Sequence, residues 1–519
     1  MSNIHRQFRS HYSPKGCVVA TLLGESPPKE LLGLSETERH SLRVVAHLSR
    51  KIQCGPPLAH YCETVCVEAV YVRSKTQYVC QQCGAASPKW IGRCPSCQQW
   101  NTFVEERVTA AATDAPPSWD SAPVRFTEIA GIEAPRVSSG ITEFDRVLGG
   151  GVVAGALTLL GGDPGVGKST LMLDVASHLA ESSVVLYASG EESAHQIKLR
   201  GERLSIRTTD LHIYAEMSVE RILRAAEHLN AKAVIIDSIQ TTFSERLELA
   251  PGSIGQVREI ASQLLFWTKK NQVPVFLIGH ITKDGAIAGP KALEHIVDTV
   301  LYFEGPRQHP HRVVRTIKNR FGPAHEIGIF EMASNGLKPV EKPSALFLSQ
   351  TESLKPGSVV LCSMEGSRPL LIEIQALVSR THFGTPRRLA TGLDPQRLAL
   401  VAAVLEKRVG VNLWDQDIYL NVAGGLEVEE PAADLAIVGA ILSSLFNRPA
   451  DASTVIFGEV GLGGEIRPAM FPEIRLKEAA TLGFKRGIVP SQPATSELHS
   501  AMETVHVRNL REAQEAMFA

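Results

Sequence analysis

The stretch Gly161-Gly-Asp-Pro-Gly-Val-Gly-Lys-Ser-Thr170 decides the fold, because it fits the phosphate-binding template G-x-x-x-x-G-K-[ST] at Gly162, Gly167, Lys168 and Ser169. Ala156-Leu-Thr-Leu-Leu160 runs into it as an apolar strand, and Leu171-Met-Leu-Asp-Val-Ala176 continues from it as a helix. Glycines let consecutive backbone N–H groups curl around a phosphate, and the helix N-terminus adds a favourable dipole. Gly162, Asp163, Pro164, Gly165, Val166, Gly167, Lys168, Ser169 and Thr170 are therefore the expected cradle for ATP. Lys168 reaches the β/γ-phosphates and the Ser169 hydroxyl holds Mg²⁺. The competing reading is a glycine-rich turn with an incidental lysine.

A chain of 519 residues suggests three or four domains, and 44% hydrophobic residues is enough for several cores. The net charge of −2 leaves any nucleic-acid contact to local basic patches. No run of 18 apolar residues exists, so no membrane span is expected. The apolar run from Cys17 to Gly24 is short and no Ala-x-Ala site follows it, so a cytoplasmic location is the expectation.

Four of the nine cysteines, Cys80, Cys83, Cys94 and Cys97, form C-x2-C-x10-C-x2-C. Two such knuckles supply four thiolates to a tetrahedral Zn²⁺, a closed structural site with no open position for catalysis. A pair of disulfides is the alternative. Trp90 and Trp100 are read as packing the small ribbon, with contact to a base or a partner as the other use. Residues 1–71 show no steady period and no aspartate. We read residues 1–77 as a disordered extension, arising from a misplaced start near Val72 or from a genuine basic, acid-poor leader. The Ala/Pro/Ser-rich stretch within 107–127 reads as a flexible tether.

Beyond the phosphate loop, Ser183-Val-Val-Leu-Tyr-Ala-Ser189 reads as a buried strand delivering Glu191 and Glu192. A carboxylate there suits a general base acting on water, the role expected of Glu191, and a surface acidic turn is the other reading. Ala233-Val-Ile-Ile-Asp237 is a strand ending in the acid that organises Mg²⁺, unless Asp237 only caps a turn. Val273-Pro-Val-Phe-Leu-Ile-Gly-His280 ends in a histidine placed either to sense the γ-phosphate or to serve structure. Strands alternating with helices imply a parallel sheet covered on both faces, with chemistry at the strands' C-terminal ends.

Lys318-Asn-Arg-Phe-Gly322 follows the strand Arg312-Val-Val-Arg-Thr-Ile317. With the phosphate loop and the four-cysteine knuckle, this pentapeptide resembles the bacterial RadA (Sms) recombination proteins, from about Tyr78 to the C-terminus. Ser138–Gly151 is similar to the segment that precedes the phosphate loop in RecA-like ATPases. The resemblance implies that Lys318 and Arg320 enter a neighbouring subunit's nucleotide site as arginine-finger-type cations, in a homo-hexameric ring. A basic strand end on DNA phosphates is the alternative. It further implies two pore loops, Phe243–Gly255 and Lys283–Lys291, with Arg246, Lys283 and Lys291 as candidate DNA contacts or as plain surface charge.

From Ser344 the pattern becomes mixed α/β. Strands are expected at Val359-Val-Leu361, Leu370–Leu377 and Ile418–Val422, and helices at 396–408, 432–446 and 472–482. Asp417–Gly425 and Phe457–Arg467 resemble the proteolytic domain of Lon. Pro431-Ala-Ala-Asp434 stands where Lon carries its nucleophilic serine, so the dyad has no attacking oxygen. The basic loop Arg380–Arg388, with Arg387 and Arg388, is a candidate grip on duplex DNA or a solvated loop.

The expected class is therefore α/β, with a zinc finger at 78–106, a RecA-like P-loop ATPase core at 128–340 and a non-proteolytic Lon-like α/β domain at 341–519. The resemblance implies a DNA-dependent ATPase in DNA repair, translocating on ssDNA and promoting branch migration of branched DNA with RecA. The rivals are a nucleotide-switched DNA-binding scaffold and an ATP-dependent protease.

Overall fold

A computed structural model describes residues 135–280, 293–305, 310–348, 355–381, 384–491 and 502–518, together with 74–80, 85–109, 125–128 and four short backbone strands within 11–71. The central domain is built on one nine-stranded sheet. In chain order its strands are β1 (Leu157–Gly162), β2 (Val185–Ser189), β3 (Leu211–Ala215), β4 (Ala233–Asp237), β5 (Val275–His280), β6 (Thr299–Glu304), β7 (His311–Asn319), β8 (Ile327–Ala333) and β9 (Gly336–Pro339). Across the sheet they run β3-β2-β4-β5-β1-β6-β7-β8-β9. The first six pair in parallel.

Helices α1 (Lys168–Leu179), α2 (Ala194–Arg203), α3 (Val219–His228) and α4 (Ile254–Asn271) cover the two faces. Leu171 and Val175 of α1 pack with Leu160, Tyr187 and Ile235 on one side. Ile222 of α3 and Ile260 and Leu264 of α4 pack with Leu159 and Val234 on the other. Alternate residues of β1 thus enter opposite cores, which is why the strand is a continuous apolar run.

The expectation of a parallel sheet needs one correction. Strands β7 to β9 pair antiparallel, extending the sheet beyond β6. The link from Glu304 to His311 is too short for a crossover, so β7 can only fold back on β6.

The C-terminal domain has a seven-stranded sheet of β10 (Ser358–Glu365), β11 (Arg368–Arg380), β12 (Arg388–Thr391), β13 (Gln416–Val422), β14 (Thr454–Ile456), β15 (Arg486–Pro490) and β16 (Glu503–Val507). They lie in the order β12-β13-β11-β10-β14-β15-β16. Its helices are α5 (Pro395–Val404), α6 (Asp434–Leu445), α7 (Pro472–Thr481) and α8 (Leu510–Phe518). Helix α6 is buried on every side from Asp434 to Ser443, consistent with its nearly unbroken apolar sequence. The expected helices at 396–408, 432–446 and 472–482 are present, the first continuing through a π-turn, Leu405–Val409. The stretch read as the loop Arg380–Arg388 is shorter than expected, because Arg380 closes β11 and Arg388 opens β12.

A fully buried arginine holds this domain together. Arg475 of α7 donates to both Glu430 oxygens, at 2.9 and 2.6 Å, and to the carbonyls of Cys362 and Met470. Its guanidinium lies 5.1 Å from the Phe457 ring centroid. Removing one partner of a buried pair strands the other charge, at a cost of about 3–5 kcal/mol. Arg475→Ala is expected to lower the thermal unfolding midpoint of this domain by several degrees, read by calorimetry; an unshifted midpoint would refute the assignment.

The β10–β11 turn seats on the central domain. Arg368 binds Glu143 at 2.6 Å, Arg315 binds Glu365 at 2.7 Å, and the Ser367 N–H donates to Glu326 at 2.9 Å. Gly366 sits at φ +62°, and a Cβ there would lie 2.7 Å from the His325 carbonyl oxygen.

Two expectations about the N-terminal part change. The ribbon strands Ser74–Cys80 and Phe103–Thr109 pair from Cys80↔Phe103 out to Ser74↔Thr109, past the expected limits of 78 and 106. Within the stretch expected to be disordered, Val18–Thr21, Leu42–His47 and Cys66–Tyr71 join His11–Tyr12 in a four-stranded antiparallel sheet. These segments are rich in β-branched residues, which favour an extended ladder.

Candidate functional site

The nucleotide loop leaves β1 at Gly162 and enters α1 at Lys168. Gly165 and Gly167 adopt φ of +80° and +118°, values a side chain would strain. Lys168 is buried beneath the loop, where Nζ donates to the carbonyls of Gly162 (2.8 Å) and Asp163 (3.0 Å). Its third contact is His280 Nδ1 at 3.1 Å. Burial pulls the Lys168 pKa down to about 8, against the opposing pull of Asp237, Glu191 and Asp163.

Neighbouring strand ends gather the acids. Glu191, just past β2, has its Oε1 3.0 Å from His280 Nε2 and accepts from the Ser238 hydroxyl. The His280 hydrogen bond holds its carboxyl below the usual range, outweighing burial. An ammonium can only donate and a carboxylate can only accept, so His280 between them carries its proton on Nε2. Lys168, His280 and Glu191 thus form one polar chain across the end of the sheet. Glu192 turns away and binds Arg200 of α2 at 2.5 Å. Of the two glutamates delivered by β2, only Glu191 faces the loop.

Asp237 is buried at the end of β4, and burial raises its pKa. One oxygen, Oδ2, accepts from the Tyr187 hydroxyl at 2.7 Å, while Oδ1 has no hydrogen-bond partner. Ser169 and Asp237 offer hard oxygen donors, one with an open lone-pair set, and this fits Mg²⁺.

Lys318 and Arg320 lie at the other end of the sheet. Lys318 Nζ donates to the carbonyls of Glu294 (2.5 Å) and Val297 (2.8 Å). Arg320 is 3.3 Å from Asp298 Oδ1, and its side chain is 52% exposed. Asp298 also accepts from the Leu157 N–H, at the start of β1. The phosphate loop begins at the far end of that strand, roughly 16 Å away at 3.3 Å per residue. These cations therefore do not meet their own subunit's nucleotide loop. The rest of the pentapeptide is structural: Asn319 Nδ2 donates to the Leu148 carbonyl, and Lys269 Nζ stands 5.1 Å from the Phe321 ring centroid.

Among the described residues, the candidate DNA contacts lie on separate elements, Arg246 before α4 and Arg387 and Arg388 at the start of β12. Arg246 lies on an exposed loop, 3.7 Å from Glu259. Gln256, which the sequence reading passed over, fastens that loop by accepting from the Ser244 N–H and donating to the carbonyls of Ser244, Leu247 and Leu249. Lys283 and Lys291 lie outside the described residues. Arg387 is exposed, but Arg388 points inward and donates to the carbonyls of Leu413 (2.7 Å) and Gln416. Ala432, in the place of the Lon nucleophile, is buried in the turn before α6.

In the ribbon, the sulfurs of Cys80, Cys94 and Cys97 lie within 4.8 Å of one another. Cys80 and Cys97 are 3.6 Å apart, far beyond the roughly 2.05 Å of a disulfide and close to the edge of a thiolate tetrahedron around Zn²⁺. Cys83, the fourth expected ligand, is outside the described residues. Trp90 and Trp100 are both exposed, so the expectation that they pack the ribbon core does not hold; that core is Cys80, Cys94 and Phe103.

Sequence models of three domain families match this chain: a rubredoxin metal binding domain at residues 78–105, an AAA domain at 128–286, and subunit ChlI of Mg-chelatase at 396–493. DNA repair protein RadA of Bacillus subtilis is 49% identical over 449 residues, which are 85% of this chain and 98% of that protein. DNA repair protein RadA of Pseudomonas aeruginosa is 46% identical over 450 residues, 86% of this chain and 99% of that protein. Among solved structures, the RadB recombinase aligns with 39% of this chain and 99% of its own at 22% identity, with a TM-score of 0.33.

Proposed function

We propose, from the premise that this chain belongs to the family of DNA repair protein RadA, that it is a DNA-dependent ATPase acting on recombination intermediates. In this reading it is a ring motor on ssDNA that promotes branch migration together with the RecA recombinase. The observation that carries the reading is the division of the catalytic set between the two ends of β1. Lys168, Glu191 and Asp237 stand at one end, while Lys318 and Arg320 stand at the other. Such a set is completed only by a neighbouring copy, and a closed ring gives every copy the same neighbour.

ATP enters with its phosphates against the loop N–H groups and the N-terminus of α1. Lys168 gives up its contacts with Gly162, Asp163 and His280 and turns its ammonium to the β/γ-phosphates. Ser169 and Asp237 would hold Mg²⁺, which supplies charge neutralisation and alignment of the β/γ-oxygens. Glu191 accepts a hydrogen bond from the attacking water and takes its proton as the bond to phosphorus forms. His280 keeps its proton on Nε2 toward Glu191, while its Nδ1 loses Lys168 whenever a γ-phosphate is present. The neighbour's Arg320 places positive charge on the transferring phosphoryl group.

A track along the ring axis would run past Arg246. The proteolytic alternative lacks its nucleophile, since Ala432 has no oxygen to attack with. ATP hydrolysis with and without ssDNA tests the proposal. Stimulation of severalfold or more is expected; hydrolysis indifferent to DNA would overturn the motor reading and favour a nucleotide-switched scaffold.

A further inference from the structure

Tyr187 sits in the middle of β2, fully buried in a core of leucine, isoleucine and valine. Phenylalanine would fill that space without burying a hydroxyl, and a buried tyrosine oxygen needs a partner. Here the partner is Asp237 Oδ2, 2.7 Å away. The sheet register explains the meeting. Strands β2 and β4 run in parallel with Tyr187 opposite Ile235 and Ser189 opposite Asp237. Tyr187 therefore shares a face with Asp237, one diagonal step back along the neighbouring strand, within reach of a long aromatic side chain.

The consequence lies in the oxygen that is not used. A carboxylate at a strand end rotates about its Cβ–Cγ bond and presents either oxygen unless one is fixed. With Oδ2 held by Tyr187, Oδ1 is left buried and without a partner. Ser169, the other oxygen donor in the metal reading, lies in the first turn of α1.

We propose that Tyr187 is a positioning residue for the metal carboxylate: it pins Asp237 by one oxygen so that the other is presented, already desolvated, to the cation that accompanies ATP. The inference rests on the reading of Asp237 as the metal-organising acid. Outer hydrogen bonds of this kind orient metal ligands, and their loss typically weakens a metal site on the order of tenfold or more.

The test is the Mg²⁺ dependence of nucleotide binding by the full-length protein, read with a fluorescent ADP analogue during Mg²⁺ titration and again in EDTA. For Tyr187→Phe the Mg²⁺ midpoint is expected to rise about tenfold. Binding in EDTA is expected to stay near wild type, whereas a purely structural role would weaken nucleotide binding with and without Mg²⁺ alike. Tyr187→Leu, which also lacks the hydroxyl, carries the test if the phenylalanine variant is poorly folded. An unchanged Mg²⁺ midpoint in a folded variant overturns the proposal. Asp237→Asn separates the two layers. If it leaves the Mg²⁺ midpoint unchanged, the metal reading of Asp237 fails. If it moves the midpoint and Tyr187→Phe does not, only the positioning role fails.

Discussion

Arg320→Ala is expected to bind ATP normally and to turn it over about a thousandfold more slowly, the scale of loss when an arginine finger is removed. Binding is spared because the phosphate loop, Lys168, Ser169 and Asp237 lie at the opposite end of β1 from Arg320. Turnover should fall because, in the proposed ring, the missing charge is needed only as the phosphoryl group transfers. Stability changes little, since the Arg320 side chain is half exposed and its ion pair with Asp298 is long. Asp298 also keeps Lys269 at 2.7 Å, so no buried acid is stranded.

Mixing supplies the decisive measurement. In the proposed ring, a subunit lacking Lys168 would still offer its Arg320 to a neighbour, and a subunit lacking Arg320 would still offer an intact phosphate loop. Mixed rings of the two inactive variants therefore contain some complete sites, and ATPase activity should reappear on mixing. Activity that stays absent at every ratio, with mixed assemblies demonstrated, would mean that Arg320 acts within its own subunit or outside catalysis.

Lys168→Ala is expected to remove measurable turnover, a fall of about a thousandfold or more. Loss of one preorganised neutral donor already costs about 10²–10³, and here a full charge beside the phosphates goes with it. The fold should survive. Lys168 is buried with an ammonium held at the cost of its own pKa, so removing it relieves a desolvation penalty as well as three hydrogen bonds. Thermal unfolding without nucleotide should therefore shift little, while ATP-dependent stabilisation disappears. Wild-type hydrolysis rates in this variant would sink the assignment of the phosphate loop as the working site.

Much of the site was legible in the chain because it is local. The phosphate loop is one contiguous stretch whose glycines and lysine work within a single turn, and the cysteine knuckles are read from spacing. Asp237 and His280 followed from apolar strands that end in a polar residue. The sequence reading put Glu191 forward as the base, but nothing in the chain distinguishes it chemically from the adjacent Glu192. The fold chooses through Arg200, which draws Glu192 toward α2, and through His280 and Ser238, which hold Glu191 at the loop. Arg388 was misleading for a related reason: a basic dipeptide looks solvated until carbonyls of a distant turn claim one of its members. The short strands β12 and β14 to β16 gave little signal, because three to five residues hold too few alternations to mark a ladder.

The sequence by itself determined the α/β class, the nucleotide loop, the cysteine ligand pattern and the absence of a proteolytic serine, since each is carried by residue types at short spacing. Only the tertiary structure decided which residues work together. Tyr187 meets Asp237 across 50 residues of chain, and Asp298 ties the start of β1 to the Arg320 end across 141. Those meetings are set by strand order and register, which come from burying two apolar faces of one sheet at once, a global condition that no local spacing encodes.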